Sequence, residues 1–216
     1  NLNLNLNLNL NLEVMLSPTL ITKIKKLFLM KARFATTGLI ATAGYLPAIL
    51  LSLAGWGLGA ALWGPLADRA ARQSGLRVVL SGGPSALEKE MAEAIETRMQ
   101  QPCLNLVGKD TLEQSKALLR RADLVISPDS GPAHIASALG TPVIGLYAAT
   151  WSRRSGPYNS LDLCVDRFED AALRYRKKPA EQLRWGTRIE EPGVMDLIRP
   201  EDVIERFEHW RQSAEN

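Results

Sequence analysis

The residues best suited to chemistry lie in the stretch PDSGPAH, at positions 128–134. Asp129, Ser130, Gly131 and His134 fall within six residues, between an apolar run and a segment of small residues. A helix that begins here would present free N–H groups and the positive end of its dipole, which together bind anions. Gly131 has no side chain, so a phosphate could approach the backbone closely. We therefore expect the N–H groups after Ser130 to hold a phosphate, with Pro132 in the same turn.

Two side chains could complete this anion site. The Asp129 carboxylate can accept hydrogen bonds from ribose hydroxyls, and His134, in the first helical turn, can donate to a phosphate oxygen. Each residue also has an ordinary structural explanation, because Asp129 or Ser130 could be a helix N-cap and His134 could be a packing residue. Their concentration at one strand end favours a binding function.

Strands and helices alternate along most of the chain, which predicts an α/β domain with a Rossmann-like, doubly wound parallel sheet. Ser85 with Glu88, and Thr111 with Gln114, have the spacing of helix capping boxes. In the helix that starts near Ser85, positions 87, 91, 94, 95 and 99 predict one buried stripe. Strands are expected within 45–53, 76–83, 103–108, 123–128 and 142–148, and helices within 64–75, 85–100, 111–122, 132–140 and 199–212.

Ligands of such sheets bind at the carboxyl ends of the strands. Three loops are expected there, at 81–85, 108–111 and 129–132, and each leads into a helix N-terminus. Gly82 and Gly83 lack a Cβ, as Gly131 does, so a ribose or phosphate can come close to the first loop as well.

The composition limits the classes of partner. The formal net charge is +3 and the pI about 9.0, which is too weakly basic to indicate nucleic acid. Cys103 and Cys164 are far apart and form no CxxC pair, so neither a disulfide framework nor a zinc site is predicted. We therefore expect a reducing, cytoplasmic location.

The N-terminal third departs from the regular pattern. Residues 1–12 repeat Asn-Leu and are interpreted as a low-complexity tail, residues 13–45 are basic and apolar, and the α/β domain is assigned to 46–216. Residues 34–67 carry no charge, so an anchor across 34–63 is an alternative to the favoured interpretation, a buried strand followed by a glycine-rich loop. The GWGLGA stretch at 55–60 formally fits a dinucleotide motif, but no nicotinamide or flavin site is predicted, because the next strand ends in Ser-Gly-Gly.

Several stretches together resemble glycosyltransferase family 9, the ADP-heptose:lipopolysaccharide heptosyltransferases. They are DSGPAHIASALGTPVIGLY, RVVLSGGPSALEKEMAEAI, LVGKDTLEQSKALLRRADLVIS and DLIRPEDVIERF, and the likeness covers about residues 60–207. The family has two facing Rossmann-like domains, the GT-B architecture. The resemblance implies that this sequence contains the C-terminal, donor-binding half.

The resemblance also implies roles for individual residues. Asp129, Ser130, Gly131 and His134 would contact the diphosphate and the sugar of ADP-heptose. Glu88 would lie near the adenosine ribose, and the loop from Gly108 to Thr111 against the base. The reaction would be inverting transfer of heptose to the inner core of lipopolysaccharide, with no metal or other cofactor. The catalytic base and the acceptor site would come from an N-terminal domain, which we do not find in this sequence; the catalytic residue is therefore left unassigned.

Two departures from the family pattern leave alternatives open. Ala60 and Ala61 stand where a phosphate-binding Lys is expected, and Arg153 and Arg154 could replace it or belong to a solvated basic loop. The alternatives are a nucleotide-sugar-binding module without catalysis, an α/β domain anchored through 34–63, and another GT-B enzyme such as a UDP-sugar transferase or epimerase. Expected partners are a nucleotide sugar and a lipopolysaccharide acceptor, with no nucleic acid and with peripheral contact to the inner membrane.

Overall fold

The computed structural model describes residues 48–52, 67–72 and 75–214. Six parallel strands form one sheet in the order β3-β2-β1-β4-β5-β6. The strand order reverses between β1 and β4, which confirms the predicted doubly wound α/β fold. The strands are β1 (Ala48–Ser52), β2 (Arg77–Ser81), β3 (Cys103–Asn105), β4 (Leu124–Pro128), β5 (Val143–Tyr147) and β6 (Val165–Asp166).

Helices connect the strands and cover the sheet. Residues 67–72 are helical and precede β2. The other α-helices are α1 (Ala86–Arg98), α2 (Leu112–Arg121), α3 (Gly131–Ala138), α4 (Ser152–Ser155), α5 (Phe168–Ala171) and α6 (Pro200–Ala214). A π-helical turn (Ala172–Arg176) and 3₁₀ turns (Leu161–Leu163, Ala180–Gln182, Met195–Leu197) fill the region between β5 and α6.

Alternate strand residues enter two separate cores, as a sheet covered on both faces requires. Leu80, Ile126 and Leu146 lie in a core that includes residues from 67–72, α1 and α6. Val79 and Val125 point to the opposite face and pack with residues of α2 and α3. Full burial of one such aliphatic side chain contributes about 1.5–3 kcal/mol, so the paired cores fix the strand register.

Two predicted helix starts are confirmed by their caps. The Ser85 hydroxyl accepts a hydrogen bond from the Glu88 N–H at 3.3 Å. Thr111 and Gln114 form a complete capping box, with distances of 2.9 and 3.3 Å.

The buried stripe predicted for α1 is partly wrong. Ile95 is fully buried as expected, but Leu87 is 63% exposed, and Ala92 occupies the second buried position of this helix. Leu87 lies in the first turn of α1, whereas Met91 and Met99 are partly buried against the core as predicted. Periodicity alone does not show where a helix leaves the core.

Strand β1 confirms part of the interpretation of the apolar N-terminal segment. Residues 48–52 pair in parallel with β2 on one side and with β4 on the other, so β1 is a central strand of the sheet. The remaining residues of 34–63, the tail at 1–12, the segment 13–45 and the GWGLGA stretch at 55–60 lie outside the described residues. No helix among the described residues has the length and apolar character needed to cross a bilayer.

Candidate functional site

The loop between β4 and α3 brings the Asp129–His134 residues together. Strand β4 is buried along its whole length and ends at Pro128, and α3 begins two residues later at Gly131. The Asp129 carboxylate contacts the His134 imidazole, with 3.2 Å between Oδ1 and Nε2. His134 is 53% exposed at its side chain, whereas Asp129 is 14% exposed. The imidazole is therefore accessible to a ligand, whereas the carboxylate is mostly buried.

A second partner fixes the other oxygen of Asp129. The Ser155 hydroxyl, at the end of α4, donates to Asp129 Oδ2 at 2.8 Å. The Tyr147 hydroxyl donates to the Ser155 carbonyl at 3.0 Å and so ties α4 to the end of β5. Burial, followed by the nearby Asp129 charge, raises the pKa of Tyr147, so this phenol remains a donor at neutral pH. Sequence reasoning missed Ser155 and Tyr147, because nothing in their spacing connects them with a carboxylate that precedes them in the chain.

The N-terminus of α3 is not capped by its own side chain. Ser130 occupies the N-cap position but makes no side-chain cap hydrogen bond. Its hydroxyl instead lies 2.9 Å from that of Ser127, within the end of β4. The Ser130 carbonyl accepts the first helical hydrogen bonds, from the N–H groups of Ala133 and His134. Since Pro132 has no N–H, the first-turn donors ahead of Ala133 are the amides of Ser130 and Gly131.

Gly131 faces open space at the start of α3. A Cβ built on Gly131 would meet no atom within 4 Å among its described surroundings. Gly145 in β5 shows the opposite situation, because a Cβ there would approach the Tyr147 ring to 2.5 Å. The fold itself therefore requires Gly145 to lack a side chain, whereas the space beside Gly131 is available to a ligand.

The other predicted site residues form a second group, at the ends of β2 and β3. The Gly108 N–H donates to the Gly82 carbonyl at 3.0 Å and joins the two loops. Gly108 has φ +66°, and a Cβ there would come within 3.0 Å of the Pro84 Cα, so this position needs glycine for the fold. A carboxylate oxygen of Glu88 lies 2.8 Å from where a Cβ of Gly83 would be.

Asp110 and Thr111 complete this second group. The Thr111 hydroxyl is engaged in its capping box, so its role in binding stays a prediction. Burial raises the pKa of Asp110, and no hydrogen bond from the described residues reaches its Oδ2. An acid of this kind is a candidate for contact with a ligand on the loop from Gly108 to Thr111.

The two groups lie along the same edge of the sheet on either side of β1. Adjacent strands are 4.7–4.9 Å apart, so the ends of β2 and β4 are separated by roughly 10 Å. Within the described part of the chain, no hydrogen bond or ion pair joins the group 82–111 to the group 129–134. A ligand that contacts both groups must bridge the end of β1.

A cleft opens directly beside Asp129. The cleft is small, and part of it is open to solvent. The segment 187–191 forms one wall, because the Ile189 N–H donates to the Ala149 carbonyl at 2.8 Å. The lining residues are Pro128, Asp129, Leu146, Ala149, Thr150, Arg188, Glu190 and Met195. Sequence reasoning missed Thr150, Arg188 and Glu190, since they lie outside every motif.

Arg153 and Arg154 lie away from this cleft, against the segment 180–187. The Arg153 guanidinium lies 5.2 Å from the centre of a Trp151 ring and 3.7 Å from Glu181. Arg154 lines a small pocket that also includes Trp185 and Thr187. Their positions give no support to a phosphate-binding role, and Ala60 and Ala61 lie outside the described residues. Among the residues described, no cluster of three or more His, Cys, Asp or Glu side chains could hold a metal ion.

Both cysteines lie away from the two groups of site residues. Burial raises the pKa of Cys164 to about 12 and that of Cys103 to about 11, so both thiols remain protonated at neutral pH. Neither has the thiolate character that a nucleophile requires.

A six-stranded doubly wound sheet, with glycine loops and a free helix N-terminus at its carboxyl edge, defines a nucleotide-binding type of α/β domain. Comparison with known proteins narrows this class. Residues 60–184 match the sequence profile of "Glycosyltransferase family 9 (heptosyltransferase)". This chain belongs to glycosyltransferase family 9, as its motifs predict.

A curated relative agrees with the family assignment, and two solved structures share the fold. The lipopolysaccharide core heptosyltransferase OpsX of Haemophilus influenzae is 42% identical over 134 residues, which are 62% of this chain and 39% of that relative. The structure of E. coli ADP-heptose LPS heptosyltransferase II has a TM-score of 0.54 at 23% identity and aligns 82% of this chain with 50% of that one. E. coli heptosyltransferase WaaC with ADP has a TM-score of 0.54 at 20% identity, covering 79% and 46%. The chain thus spans half or less of each of these proteins.

Proposed function

We propose that this domain binds ADP-heptose and serves as the donor-binding half of an inverting heptosyltransferase that acts on the inner core of lipopolysaccharide. One arrangement carries the proposal: the uncapped N-terminus of α3, with Gly131 facing open space and Asp129 and His134 beside it. Such a helix end favours a negatively charged ligand group. The diphosphate of the donor would bind there.

The spacing of the two groups of site residues supports a nucleotide diphosphate. The adenosine would lie over the loops at the ends of β2 and β3, near Glu88 and the segment from Gly108 to Thr111. The diphosphate would cross the end of β1 to reach α3. A ligand of this length is needed because the two groups are roughly 10 Å apart across β1.

Related proteins support adenine as the base and heptose as the sugar. The first-named relative is a lipopolysaccharide core heptosyltransferase, and two relatives of known structure are described with ADP or ADP-heptose in their names. By analogy, the proposed partners of the whole protein are ADP-heptose and a lipopolysaccharide acceptor. The proposed location is the cytoplasm, with peripheral contact to the inner membrane, where such an acceptor is presented.

In this proposal the domain helps the diphosphate to leave. Backbone N–H groups and the His134 imidazole stabilise the negative charge that develops as the bond to the sugar breaks, without a metal. Because Nε2 of His134 already contacts Asp129, a donor to phosphate must come from Nδ1 or from a turned ring. The base that removes the proton of the acceptor hydroxyl, and the acceptor site, are assigned to a part of the protein outside residues 75–214.

Isothermal titration of the purified chain with ADP, UDP and ADP-heptose tests the proposal. We expect ADP and ADP-heptose to bind and UDP to bind more weakly. Asp129→Ala should lose at least about tenfold in affinity for ADP-heptose, because a charged hydrogen-bonding group is removed.

Ser155→Ala is the matched control, since it removes one support of Asp129 and leaves the carboxylate in place. It should lose less affinity than Asp129→Ala. Tighter binding of UDP than of ADP would reassign the donor. No binding of any of the three ligands would contradict the proposal. If ADP-heptose binds, an assay with a lipopolysaccharide acceptor then separates a transferase from a module that only binds.

A further inference from the structure

We propose that an exposed, basic surface around Trp185 binds the anionic phospholipids of the membrane at which the acceptor is presented. This inference rests on the proposed function, because the proposed acceptor is a lipid-linked sugar. The Trp185 surface is defined by five exposed residues, which are Arg153, Lys177, Lys178, Arg184 and Trp185.

Positive charge is concentrated in one stretch of the sequence. Residues 173–188 contain six Lys or Arg residues and a single acidic residue, Glu181. The whole chain has 26 Lys and Arg residues and 23 Asp and Glu residues, so the other 200 residues contain 20 basic and 22 acidic ones. The net positive charge of the chain therefore comes from this stretch. A basic stretch of this kind is attracted to anionic lipids.

An aromatic cluster joins Arg153 to Trp185. The ring centres of Trp151 and Trp185 are 6.1 Å apart, and Trp151 stacks on the buried ring of Phe168 at 5.8 Å. The Arg153 guanidinium lies 5.2 Å from the centre of the Trp151 ring. Trp151 is therefore anchored to the core, whereas Trp185 beside it is 67% exposed. An indole held at a polar surface suits the headgroup region of a membrane.

A buried anchor holds the two lysines close to this cluster. Ala180 is buried, and its N–H donates to a carboxylate oxygen of Glu169 at 2.9 Å. Ala180 also lines the same small pocket as Trp185. Lys177 and Lys178 are exposed and precede Ala180 by three and two residues, so their Cα atoms lie within roughly 11 Å of its Cα.

The backbone at Lys177 gives this lysine a further significance. Lys177 has φ +57° and ends the π-helical turn, and among the described non-glycine residues it alone has a positive φ. Glycine or asparagine adopts this conformation at a lower cost than lysine does. The position therefore carries a basic side chain although the local backbone favours another residue.

The acidic groups nearby leave most of this charge available. Glu181 lies 3.7 Å from Arg153, but both side chains are largely exposed, so the pair is weak and is screened by salt. Within the part of the chain that the structure describes, no ion pair engages the side chains of Lys177, Lys178 or Arg184. These three charges can therefore approach the negative charges of lipid headgroups.

The Trp185 surface lies next to the proposed donor site. Arg153 and Ser155 both belong to α4, and the Ser155 hydroxyl donates to Asp129 at 2.8 Å. A helix of four residues is roughly 6 Å long, so Arg153 is close to the support of the Asp129 carboxylate. A bilayer in contact with Arg153 would therefore lie near the donor, as transfer to a lipid-linked acceptor requires.

Cosedimentation of the purified chain with lipid vesicles tests the proposal. The vesicles contain either phosphatidylcholine alone or equal amounts of phosphatidylcholine and phosphatidylglycerol. We expect the chain to bind the anionic vesicles at low ionic strength and to bind the neutral ones much more weakly. High salt should release the chain from the anionic vesicles, because exposed charges are screened.

The first variant removes two adjacent charges from the surface. The double variant Lys177→Gln, Lys178→Gln should bind the anionic vesicles about tenfold more weakly or worse, because each basic side chain at an anionic surface contributes roughly a fivefold gain in affinity. The matched control is Arg120→Gln with Arg121→Gln, which removes two adjacent exposed charges from the last turn of α2. The control should bind as the unchanged chain does.

The second variant removes the exposed indole. Trp185→Ala should weaken vesicle binding by at least about threefold, because the apolar ring no longer enters the headgroup region. Tyr158→Ala is its control, since Tyr158 is 82% exposed and precedes Asn159, which is bonded to Ser137 in the last turn of α3. Loss of the Tyr158 ring should leave vesicle binding unchanged.

Two outcomes would overturn the membrane surface and leave donor binding in place. One is unchanged vesicle binding in both surface variants, or equal binding to neutral and anionic vesicles, because the contact would then lie elsewhere in the chain. The other is binding only when lipopolysaccharide is added to the vesicles, which would make the surface a contact for the acceptor. Absence of any binding to anionic vesicles would also contradict the proposal.

Isothermal titration with ADP-heptose separates this proposal from the proposed function. Both surface variants and both controls should bind ADP-heptose as the unchanged chain does, because none of the changed residues belongs to the donor site. If the unchanged chain binds anionic vesicles as expected but binds no ADP-heptose, the proposed function fails and the membrane surface stands on the vesicle result alone.

Discussion

The helix starts at the carboxyl edge of the sheet differ in one respect. Helices α1 and α2 are capped by their own sequences, through Ser85 and through the Thr111–Gln114 capping box. The N-terminus of α6 is also capped by a residue of its own first turn, because the Asp202 carboxylate accepts a hydrogen bond from the Arg199 N–H at 3.1 Å. Helix α3 has a serine in the same position, but that hydroxyl is bonded to Ser127 instead.

Among the described α-helices of eight or more residues, this difference separates the starts that are capped within the chain from the start of α3, which is available to a ligand. A capped N-terminus has one or two of its free N–H groups bonded within the chain, so it gains less from an added anion. The N-terminus of α3 retains donors at Ser130 and Gly131 and has an imidazole and a carboxylate beside it. The sequence contains a potential cap at all these helix starts, and only the contacts of the hydroxyl distinguish them.

The largest expected effect comes from filling the open space at α3. A valine at position 131 would occupy that space and should lower the affinity for ADP by at least about 100-fold, because the phosphate would lose its approach to the backbone. A side chain before proline also disfavours the helical conformation, so the change is made as Gly131→Val in the Pro132→Ala background. Isothermal titration compares the double variant with Pro132→Ala alone.

The control for this prediction is a glycine that the fold requires. Gly145→Ala should destabilise the chain by about 1–3 kcal/mol, because the new methyl group overlaps the Tyr147 ring. The double variant at 131 and 132 should instead unfold at nearly the same urea concentration as Pro132→Ala. Unchanged ADP affinity in the double variant would place the phosphate elsewhere.

A smaller effect, on the free energy of unfolding, should distinguish a capping residue from Ser130 at the start of α3. Thr111→Ala removes a capping hydroxyl and should lower the free energy of unfolding by about 1 kcal/mol. Ser130→Ala removes no cap and should cost clearly less. Urea denaturation of the two variants measures the difference. Equal losses would contradict this expectation and would show that the Ser130–Ser127 hydrogen bond stabilises the fold as much as a cap does.

The smallest effect concerns stability, and specifically how the contribution of Asp202 at the N-terminus of α6 depends on pH. Burial opposes ionisation of Asp202, but hydrogen bonds from Arg167 and from the Arg199 N–H outweigh it and lower the pKa of Asp202 below its ordinary value of 3.8. A lowered pKa in the folded state stabilises the fold at neutral pH, and this contribution is lost as the pH falls below that value.

Comparison of the chain with Asp202→Asn over pH 3–7 checks this sign. The variant should be less stable at pH 7, by about 1 kcal/mol or less because the pair is partly exposed, and the difference should shrink near pH 3. The neutral caps of α1 and α2 predict no such change for Ser85→Ala or Thr111→Ala. A difference for Asp202→Asn that grows on acidification would contradict the account.

The regular part of the fold follows from sequence patterns. Strands β2 to β5 and helices α1, α2, α3 and α6 lie where the apolar runs and capping residues predict them. The signals that specify these elements are local in the sequence, because a helix cap or a repeating apolar pattern can be recognised within about a dozen residues. The motif at 129–134 was recognisable for the same reason.

The region between β5 and α6 shows where this reasoning ends. Its short helical turns lack a sustained period, and Arg188 and Glu190 gain their positions only because Ile189 docks on the end of β5. The support of Asp129 by Ser155 likewise joins residues 26 positions apart through the fold. Contacts of this kind depend on tertiary packing, which no local pattern encodes.

Backbone amide chemical shifts, recorded while the chain is titrated with ADP, show which amides the ligand contacts. We expect the largest changes at Ser130 and Gly131, because the diphosphate would bind the donors that remain available at the start of α3. The amides of residues 82, 83 and 108 should change as well if the adenosine lies over the neighbouring loops. Changes that leave Ser130 and Gly131 unaffected would contradict the account, because the ligand would then bind away from the uncapped N-terminus of α3.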